Sequence, residues 1–324
     1  MTRADRDESL RVVITGASSG IGQATAGMFA RRGARLFLAA RNGEALERVA
    51  TRCRAAGGDA VAVKADVTDI HAIREIARRA SEELGGVDVW LSNPGVGAIG
   101  LYQDTPMEAH EQIIRTNLIG HMNDAHAVLP IFLRQGSGTF INMISLGGFA
   151  AAPFAAAYSA SKFGLRGFSE SLRAELSGHP HIHVCDIYPG FVDTPGIRHG
   201  ANYVGRKVSA PPPVLDPWRV AMAVLRVADK PKPTTSVGTT AVLTRLVHAV
   251  SPMATGRTMF RLMNSYFADA QHVPLSAGNL FDPAEDAAIV EGGLRSAKQR
   301  SMAYAGAATA ATAAVLAIAL RRRT

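Results

Sequence analysis

Short apolar runs alternate with amphipathic segments from the start of the chain to about residue 190. The apolar runs are Arg11–Ile14, Ala34–Arg41, Ala60–Val63, Val87–Leu91 and His183–Tyr188, and the amphipathic segments are 42–56, 69–84 and 106–133. Short apolar runs predict buried strands, and segments with helical periodicity predict helices. Because strands and helices alternate, the pattern predicts βαβ units around a parallel sheet, which is an α/β fold.

The pattern changes beyond residue 240. Residues 241–267 alternate apolar and basic positions at partly helical spacing, which predicts a helix whose apolar side either packs on the core or faces a membrane. That apolar set is Leu243, Leu246, Val247, Val250, Met259, Phe260, Leu262 and Met263. Residues 268–300 are punctuated by glycine and proline, and we expect irregular surface chain there without chemistry of its own.

The segment 301–320 contains no charged residue and precedes three arginines. Its length fits a helix across a bilayer, but ten of its residues are alanine, which inserts weakly. We predict an Ala-rich helix and a candidate membrane anchor. The alternatives are packing on a partner subunit and lying on the bilayer surface with the arginines on anionic head groups.

Composition narrows the function classes. The chain has 324 residues, 47% of them hydrophobic, and a net charge of +8, so it exceeds one ordinary α/β domain and suits an anionic surface or phosphate. The sequence has no basic stripe with interleaved aromatic residues, so it gives no support for nucleic-acid binding. The two cysteines and the alternating His179, His181 and His183 predict neither a disulfide framework nor a metal site.

The N-terminus is charged and lacks a secretory apolar region, which predicts a cytoplasmic protein. The protein would be membrane-associated only if 301–320 binds a bilayer.

A glycine-rich run follows the first predicted strand and precedes helix-forming sequence. It reads Thr15-Gly16-Ala17-Ser18-Ser19-Gly20-Ile21-Gly22. Glycines are required where a tight strand-to-helix turn lets a pyrophosphate approach the first N–H groups of a helix. The spacing G-x-x-x-G-x-G differs from the common G-x-G-x-x-G, and a plain turn is the alternative. We predict a dinucleotide site.

Candidate chemistry lies further along the chain at Ser145, Tyr158 and Lys162. Tyr158 and Lys162 are four residues apart, which places both on one face of a helix. An ammonium beside a phenol lowers the pKa of the phenol, which predicts that Tyr158 is a general acid/base. A solvated helix face is the alternative for such a pair by itself.

Together with Asn117, these motifs occur in an order that resembles the short-chain dehydrogenase/reductase family over about residues 9 to 240. The resemblance implies a Rossmann-like, doubly wound parallel sheet and NAD(P)-dependent hydride transfer. Beyond the resembling region we predict a C-terminal helical extension at 241–300. The resemblance implies that Tyr158 protonates a carbonyl oxygen, Ser145 hydrogen-bonds it, Lys162 holds the nicotinamide ribose and Asn117 supports a water. It also implies a homo-oligomer.

The same resemblance assigns further coenzyme contacts. Besides the glycine-rich run, Tyr158 and Lys162, they are Asp66, Val67, Asn93, Gly95, Pro189, Gly190 and Thr194. One departure is visible, because Ser92-Asn93-Pro94-Gly95 stands where the family usually has N-N-A-G. Pro94 lacks an N–H, so we expect the loop over the adenosine ribose to differ in shape.

Coenzyme choice depends on the end of the second strand. An NAD site needs a carboxylate there for the ribose 2′-OH, but this chain has Ala40 followed by Arg41. A guanidinium suits a 2′-phosphate, so we predict NADP. The alternative is that Arg41 only caps an exposed loop.

In the resembling family, the segment 191–217 is a substrate lid. Its apolar residues, together with Leu146, Phe149, Ala150 and Ala151 after Ser145, favour a small apolar carbonyl or alcohol substrate. We therefore predict an NADP(H)-dependent oxidoreductase with Tyr158 as general acid/base. A nonenzymatic NADP-binding or membrane-scaffolding protein is the competing class, and an epimerase or dehydratase on the same fold is a third possibility.

Overall fold

A computed structural model describes residues 9–284 and 288–295. Its central sheet contains seven parallel strands in the order β3-β2-β1-β4-β6-β7-β9. The strands are β1 (Arg11–Thr15), β2 (Arg35–Ala40), β3 (Asp59–Lys64), β4 (Val89–Ser92), β6 (Gly138–Met143), β7 (Ile182–Pro189) and β9 (Thr234–Val237). The predicted Rossmann-like, doubly wound parallel sheet is confirmed, and the strand order reverses between β1 and β4.

Helices cover both faces of the sheet. They are α1 (Gly20–Ala30), α2 (Gly43–Ala55), α3 (Ile70–Leu84), α4 (Met107–Ile114), α5 (Gly120–Gln135), α6 (Ala156–Glu175), α7 (Pro195–His199), α8 (Pro217–Asp229), α9 (Thr239–Val250) and α10 (Pro252–Asp269). A π-helical turn, Arg115–Ile119, joins α4 to α5. Two short strands, β5 (Ala98–Ile99) and β8 (Ala201–Asn202), pair outside the main sheet.

The strands explain this two-sided packing because alternate side chains point to opposite faces. Val12 and Ile14 of β1 pack with α1, α2 and α8, whereas Val13 packs with α3 and α5 on the other face. Both faces of the strands are therefore apolar, which is why the strands appear in the sequence as continuous apolar runs. Cys53 and Cys185 are buried free thiols in these layers.

The C-terminal extension departs from the expectation of a helix packed on the core. Two helices form, because Pro252 begins α10 directly after α9 ends at Val250. Leu246, Val247, Val250, Phe260 and Leu262, which belonged to the set predicted to be buried or membrane-facing, are exposed. Among the described residues, no helix combines the length and apolar character needed to span a bilayer. The predicted Ala-rich helix at 301–320 lies outside the described residues.

Candidate active site

The glycine-rich turn lies at the carboxyl end of β1, between its neighbours β2 and β4. Gly16 adopts φ 67°, and a Cβ at Gly22 would overlap the carbonyl oxygen of Gly16. Neither position has room for a side chain. Helix α1 begins at Gly20, and no described residue accepts from the N–H groups of Ser19 or Ile21. Two N–H groups at a helix N-terminus fit an anionic pyrophosphate.

A buried carboxyl group supports this turn from below, and sequence analysis missed it. Thr15 Oγ1 and Ser92 Oγ each donate to Asp124 Oδ2 at 2.6 Å. Burial raises the Asp124 pKa to about 7, against the lowering effect of these hydroxyl donors. Asp124 therefore ties β1 to β4 beneath the glycine turn. The predicted amphipathic segment 106–133 included it without marking its role.

The loop after β4 closes over the same turn. Asn93 Nδ2 donates to Gly16 O at 3.1 Å, and His121 Nε2 lies 2.9 Å from Pro94 O. Burial, with Lys162 nearby, lowers the His121 pKa to about 3, so this imidazole is neutral and carries one N–H, with Pro94 O at Nε2 and Asn142 Oδ1 3.0 Å from Nδ1. The carbonyl of Pro94 thus fixes the loop although its nitrogen has no hydrogen. Sequence analysis missed His121.

Asn117 lies in the π-helical turn and is fully buried. Its Oδ1 accepts from Val96 N and its Nδ2 donates to Val96 O, both at 2.8 Å. Single π turns inside helices frequently occur at functional sites. The Asn117 side chain is therefore used to hold residue 96, so a water contact would have to come from another of its groups.

Ser145 follows β6 in a conformation that L-residues rarely adopt. Its φ is 128°, and its Oγ accepts from Gly147 N at 3.2 Å. Such backbone strain persists where the surrounding structure enforces it and clusters at active sites. Ser145 therefore lies at the carboxyl edge of the sheet in a strained backbone conformation.

Tyr158 and Lys162 lie in the first two turns of α6 and face the end of β6. Lys162 Nζ donates to Met143 O at 3.3 Å and lies 5.7 Å from the centre of the Tyr158 ring. The Ser145 hydroxyl lies near enough to Tyr158 to lower the pKa of the phenol. The structure thus places Ser145 near Tyr158 and Lys162, and the latter two lie on one face of α6, as their spacing predicts.

The predicted lowering of the Tyr158 pKa is wrong. Burial raises the pKa of Tyr158, and the nearby Ser145 hydroxyl offsets only part of that effect. Burial also lowers the Lys162 pKa to about 7. Desolvation disfavours both charged forms, so near neutral pH the phenol keeps its proton and the amine holds its proton weakly.

One wall beside Tyr158 is apolar. It belongs to a cluster formed by Val96, Ala98, Ala109, Ile113, Ala157, Ala201 and Leu280, with Tyr203 partly buried against it. Phe149, which we expected in the substrate wall, instead packs on Tyr188 at 4.3 Å between ring centres and belongs to the core. Phe154 stacks on Phe260 at 5.4 Å, so α10 lies beside the segment that precedes α6.

The remaining predicted coenzyme residues lie along the same edge of the sheet. Asp66 Oδ1 accepts from Thr68 N at 2.9 Å, and Val67 O accepts from Asn123 Nδ2 at 2.8 Å. Pro189 ends β7, and Gly190 N donates to Val237 O at 3.2 Å. A Cβ built on Gly20 would lie 3.2 Å from the Thr194 side chain, so Thr194 borders the glycine turn.

The expectation for 268–300 as surface chain without a role is wrong for several of its described residues. Leu280, Ala288 and Arg295 are buried, and residues 279–281 and 288–289 hydrogen-bond Arg41 and the glycine turn. The glycines and proline correctly predict irregular backbone, but they carry no signal for long-range burial. Sequence analysis missed Arg295 and Asp193 as functional candidates. Asp193 follows the apolar pair Phe191-Val192, which is a weak signal, whereas the residues around Arg295 give none.

Comparisons with known proteins agree with this geometry. The family model for short chain dehydrogenase matches residues 11–201. The uncharacterized oxidoreductase YxnA of Bacillus subtilis is 34% identical over 275 residues, which cover 84% of this chain and 77% of that protein. The 1-deoxy-11-beta-hydroxypentalenate dehydrogenase of Streptomyces exfoliatus is 38% identical over 189 residues, covering 57% of this chain and 68% of that enzyme.

The fold is also similar to that of a solved structure. The alcohol dehydrogenase of the archaeon Thermococcus sibiricus, complexed with 5-hydroxy-NADP, superposes with a TM-score of 0.62 at 27% identity. The match covers 71% of this chain and 96% of that one. Fold, site geometry and sequence similarity agree, and the chain belongs to the short-chain dehydrogenase family of oxidoreductases.

Proposed function

We propose that the protein is an NADP(H)-dependent oxidoreductase that interconverts a carbonyl and an alcohol on an apolar substrate. The observation that carries this proposal is the convergence of Ser145, Tyr158 and Lys162 at the carboxyl edge of the sheet, next to a glycine turn with open N–H groups. A protein that only binds coenzyme has no need of a buried acid beside a strained serine. The nonenzymatic alternative is therefore the weaker one.

The chain's own groups account for the proton. In the reducing direction, the substrate oxygen would accept hydrogen bonds from the Ser145 and Tyr158 hydroxyls, and the Tyr158 Oη–H would give its proton to that oxygen. Because the pKa of Tyr158 is raised, the phenol would stay protonated until negative charge develops on the substrate oxygen. As phenolate forms, a protonated Lys162 would stabilise it across the 5.7 Å that separates Nζ from the ring centre. Bound NADPH would supply the hydride.

The coenzyme preference follows from β2. Ala40 offers no carboxylate to a ribose 2′-OH, whereas the Arg41 guanidinium offers forked donors to a 2′-phosphate. The 5-hydroxy-NADP complex of the Thermococcus sibiricus alcohol dehydrogenase supports this choice.

Replacing Arg41 tests this choice. Arg41→Asp should shift the ratio of NADPH to NADH affinities toward NADH by about 10- to 100-fold, because charge-assisted hydrogen bonds are lost and a repelling carboxylate is gained. Fluorescence titration with each coenzyme measures the ratio. An unaltered ratio would remove the argument for NADP.

The substrate class follows from the wall beside Tyr158. Val96, Ala98 and Leu280 offer no charged or hydrogen-bonding side chain, so an apolar ketone or aldehyde fits better than a sugar. NADPH oxidation should be measured against ketones and aldehydes of matched size and graded polarity. We expect turnover to rise with apolar character, and faster turnover of sugars would contradict the assignment.

We also propose that residues 9–240 form the coenzyme-binding domain, with 191–217 as its substrate lid and 241–300 as an extension. We further propose that the protein forms a homo-oligomer, for which light scattering should give a mass above that of one chain.

A last proposal concerns location, namely attachment of 301–320 to membranes. Deleting 301–324 should release the protein from membrane fractions. Full-length protein that is soluble after lysis would reject the anchor.

A further inference from the structure

A C-terminal segment crosses the coenzyme end of the sheet. Its described parts, 279–284 and 288–295, are called the strap below. The strap contacts three loops that come from distant parts of the chain: the β2–α2 loop, the glycine turn and the loop after β7. These are the loops on which the proposed NADP site depends, so the strap is placed to act on coenzyme binding.

The first contact orients Arg41. Its Nη1 donates to Leu280 O at 3.1 Å and Phe281 O at 3.0 Å, and its Nη2 donates to Asn279 O at 2.6 Å. A guanidinium carries five N–H donors, and within the described residues no acceptor takes the Nε–H. Three carbonyl groups therefore fix a flexible side chain while part of its fork stays available for a phosphate.

The second contact braces the glycine turn. Ala288 N donates to Ser18 O at 3.0 Å, and Gly20 N donates to Ile289 O at 2.9 Å. Gln23 Nε2 and Arg52 Nη1 donate to Ala288 O at 3.3 and 2.9 Å. The strap uses the Gly20 N–H but leaves the neighbouring N–H groups of the turn without a described partner. It supports the anion site without filling its donors.

The third contact anchors the strap. Arg295 Nε donates to Asp193 Oδ2 at 3.2 Å and Nη1 donates to Asp216 Oδ2 at 2.8 Å, while Glu291 lies 3.0 Å from Nη2. Leu294 N also donates to Asp193 Oδ1 at 2.7 Å. Asp193 is fully buried and directly precedes Thr194. Without the Arg295 charge, a buried carboxylate would lose its ion pair, and such losses are strongly destabilising locally.

We propose that Arg295 is a positioning residue for the coenzyme. It anchors the strap on Asp193, and the anchored strap holds Arg41 and Thr194 in place for the 2′-phosphate and the nicotinamide end of NADP. This inference rests on the proposed function. The opposite possibility is that the strap carbonyls compete with the 2′-phosphate for Arg41, and that possibility predicts an effect of the opposite sign.

Coenzyme affinities of an Arg295 variant show whether the strap strengthens or weakens NADP binding. Arg295→Met removes the charge and keeps an unbranched side chain, and the affinities for NADPH and NADH are measured by fluorescence titration. We expect NADPH to bind about tenfold more weakly and NADH to be affected less, because the 2′-phosphate contact depends on an oriented Arg41. Arg295→Lys should restore part of the difference. Arg32→Met, which breaks the exposed ion pair with Asp229, is the matched control and should change neither affinity.

A double-mutant cycle with Arg41→Ala sharpens the test. If Arg295 acts through Arg41, Arg295→Met should reduce the NADPH preference in the wild type but not in the Arg41→Ala background. Tighter NADPH binding by Arg295→Met, unchanged binding, or equal loss for both coenzymes would each overturn the proposal. Wild-type protein that binds no NADPH would instead reject the proposed function.

Hydrogen exchange of the wild-type protein keeps the proposal testable if Arg295→Met does not fold. The Ala288 amide donates to Ser18 O, so its exchange rate reports whether the strap stays closed. We expect NADPH to slow this exchange. Faster exchange with NADPH bound would mean that coenzyme displaces the strap, which contradicts the proposal.

Discussion

The two ends of the carboxyl edge of the sheet are built in different ways. At the proposed reaction end, Ser145, Tyr158 and Lys162 come from one short stretch of chain that contains β6, the following turn and α6. At the proposed phosphate end, which is the glycine turn with Arg41, Arg41 hydrogen-bonds Asn279, which is 238 positions away. Local spacing determines the first arrangement, whereas tertiary packing determines the second. The difference implies that the acid–base chemistry and the coenzyme affinity can be changed separately.

The largest expected effect is at the reaction end. Tyr158→Phe removes the proton donor and keeps the ring, so turnover should fall by about 10²- to 10⁴-fold. NADPH affinity should stay near that of the wild type, because the phosphate end is untouched. Steady-state kinetics and fluorescence titration measure the two quantities.

Tyr102→Phe is the control for that change, since Tyr102 is exposed and stacks on His110 at 4.6 Å between ring centres. It should retain turnover. If Tyr158→Phe keeps full turnover, another group supplies the proton and the separation of the two ends is wrong.

A second test concerns the support beneath the glycine turn. The folded-state pKa of Asp124 is raised to about 7 from 3.8, so between those pH values the folded protein binds more protons than the unfolded chain. Stability from this group is therefore present at low pH and is lost as pH rises toward 7. Asparagine does not titrate, so Asp124→Asn should not lose stability in this way. The unfolding free energy of the variant minus that of the wild type should therefore increase as pH rises, by up to about 1.4 kcal/mol per pH unit.

Denaturant unfolding of both proteins from pH 4 to pH 7 measures this difference. His121 titrates in both proteins, so its contribution cancels in the difference. A difference that does not change with pH would mean that Asp124 does not titrate in this window.

A smaller effect distinguishes glycines that touch neighbouring backbone from glycines that do not. Gly22→Ala would press a Cβ on the carbonyl oxygen of Gly16, so it should lower the unfolding free energy by about 1–3 kcal/mol and weaken coenzyme binding. Gly167 lies within α6 with no atom within 4 Å of an added Cβ. Gly167→Ala should raise the unfolding free energy by about 0.5–1 kcal/mol. Equal effects of the two substitutions in thermal unfolding would contradict the crowding at Gly22.

The sequence predicts the sheet, its order of elements and the reaction end because these depend on short-range periodicity. The apolar run beginning at Arg11 forms β1, and the four-residue spacing of Tyr158 and Lys162 places both on α6. The direction of the Tyr158 pKa could not be predicted in this way, because it depends on burial by residues from other elements.

The phosphate end shows the same limit more clearly. Arg295 lies in an irregular segment whose glycines indicate only turns, yet the fold buries it against Asp193. Nothing within several residues of Arg295 identifies that partner. Likewise, the exposed apolar side of α9 and α10 follows from how these helices pack, which their periodicity does not determine.

Deuterium transfer from NADPH to a carbonyl compound is the sharpest test of the proposed reaction. Wild-type protein is incubated with NADPH carrying deuterium at the reactive nicotinamide carbon, together with an apolar ketone or aldehyde, and the products are analysed by mass spectrometry. We expect an alcohol with one deuterium on the carbinol carbon from the wild type and almost none from Tyr158→Phe. Unlabelled products from a wild-type protein that binds NADPH, across the whole panel of carbonyl compounds, would contradict it.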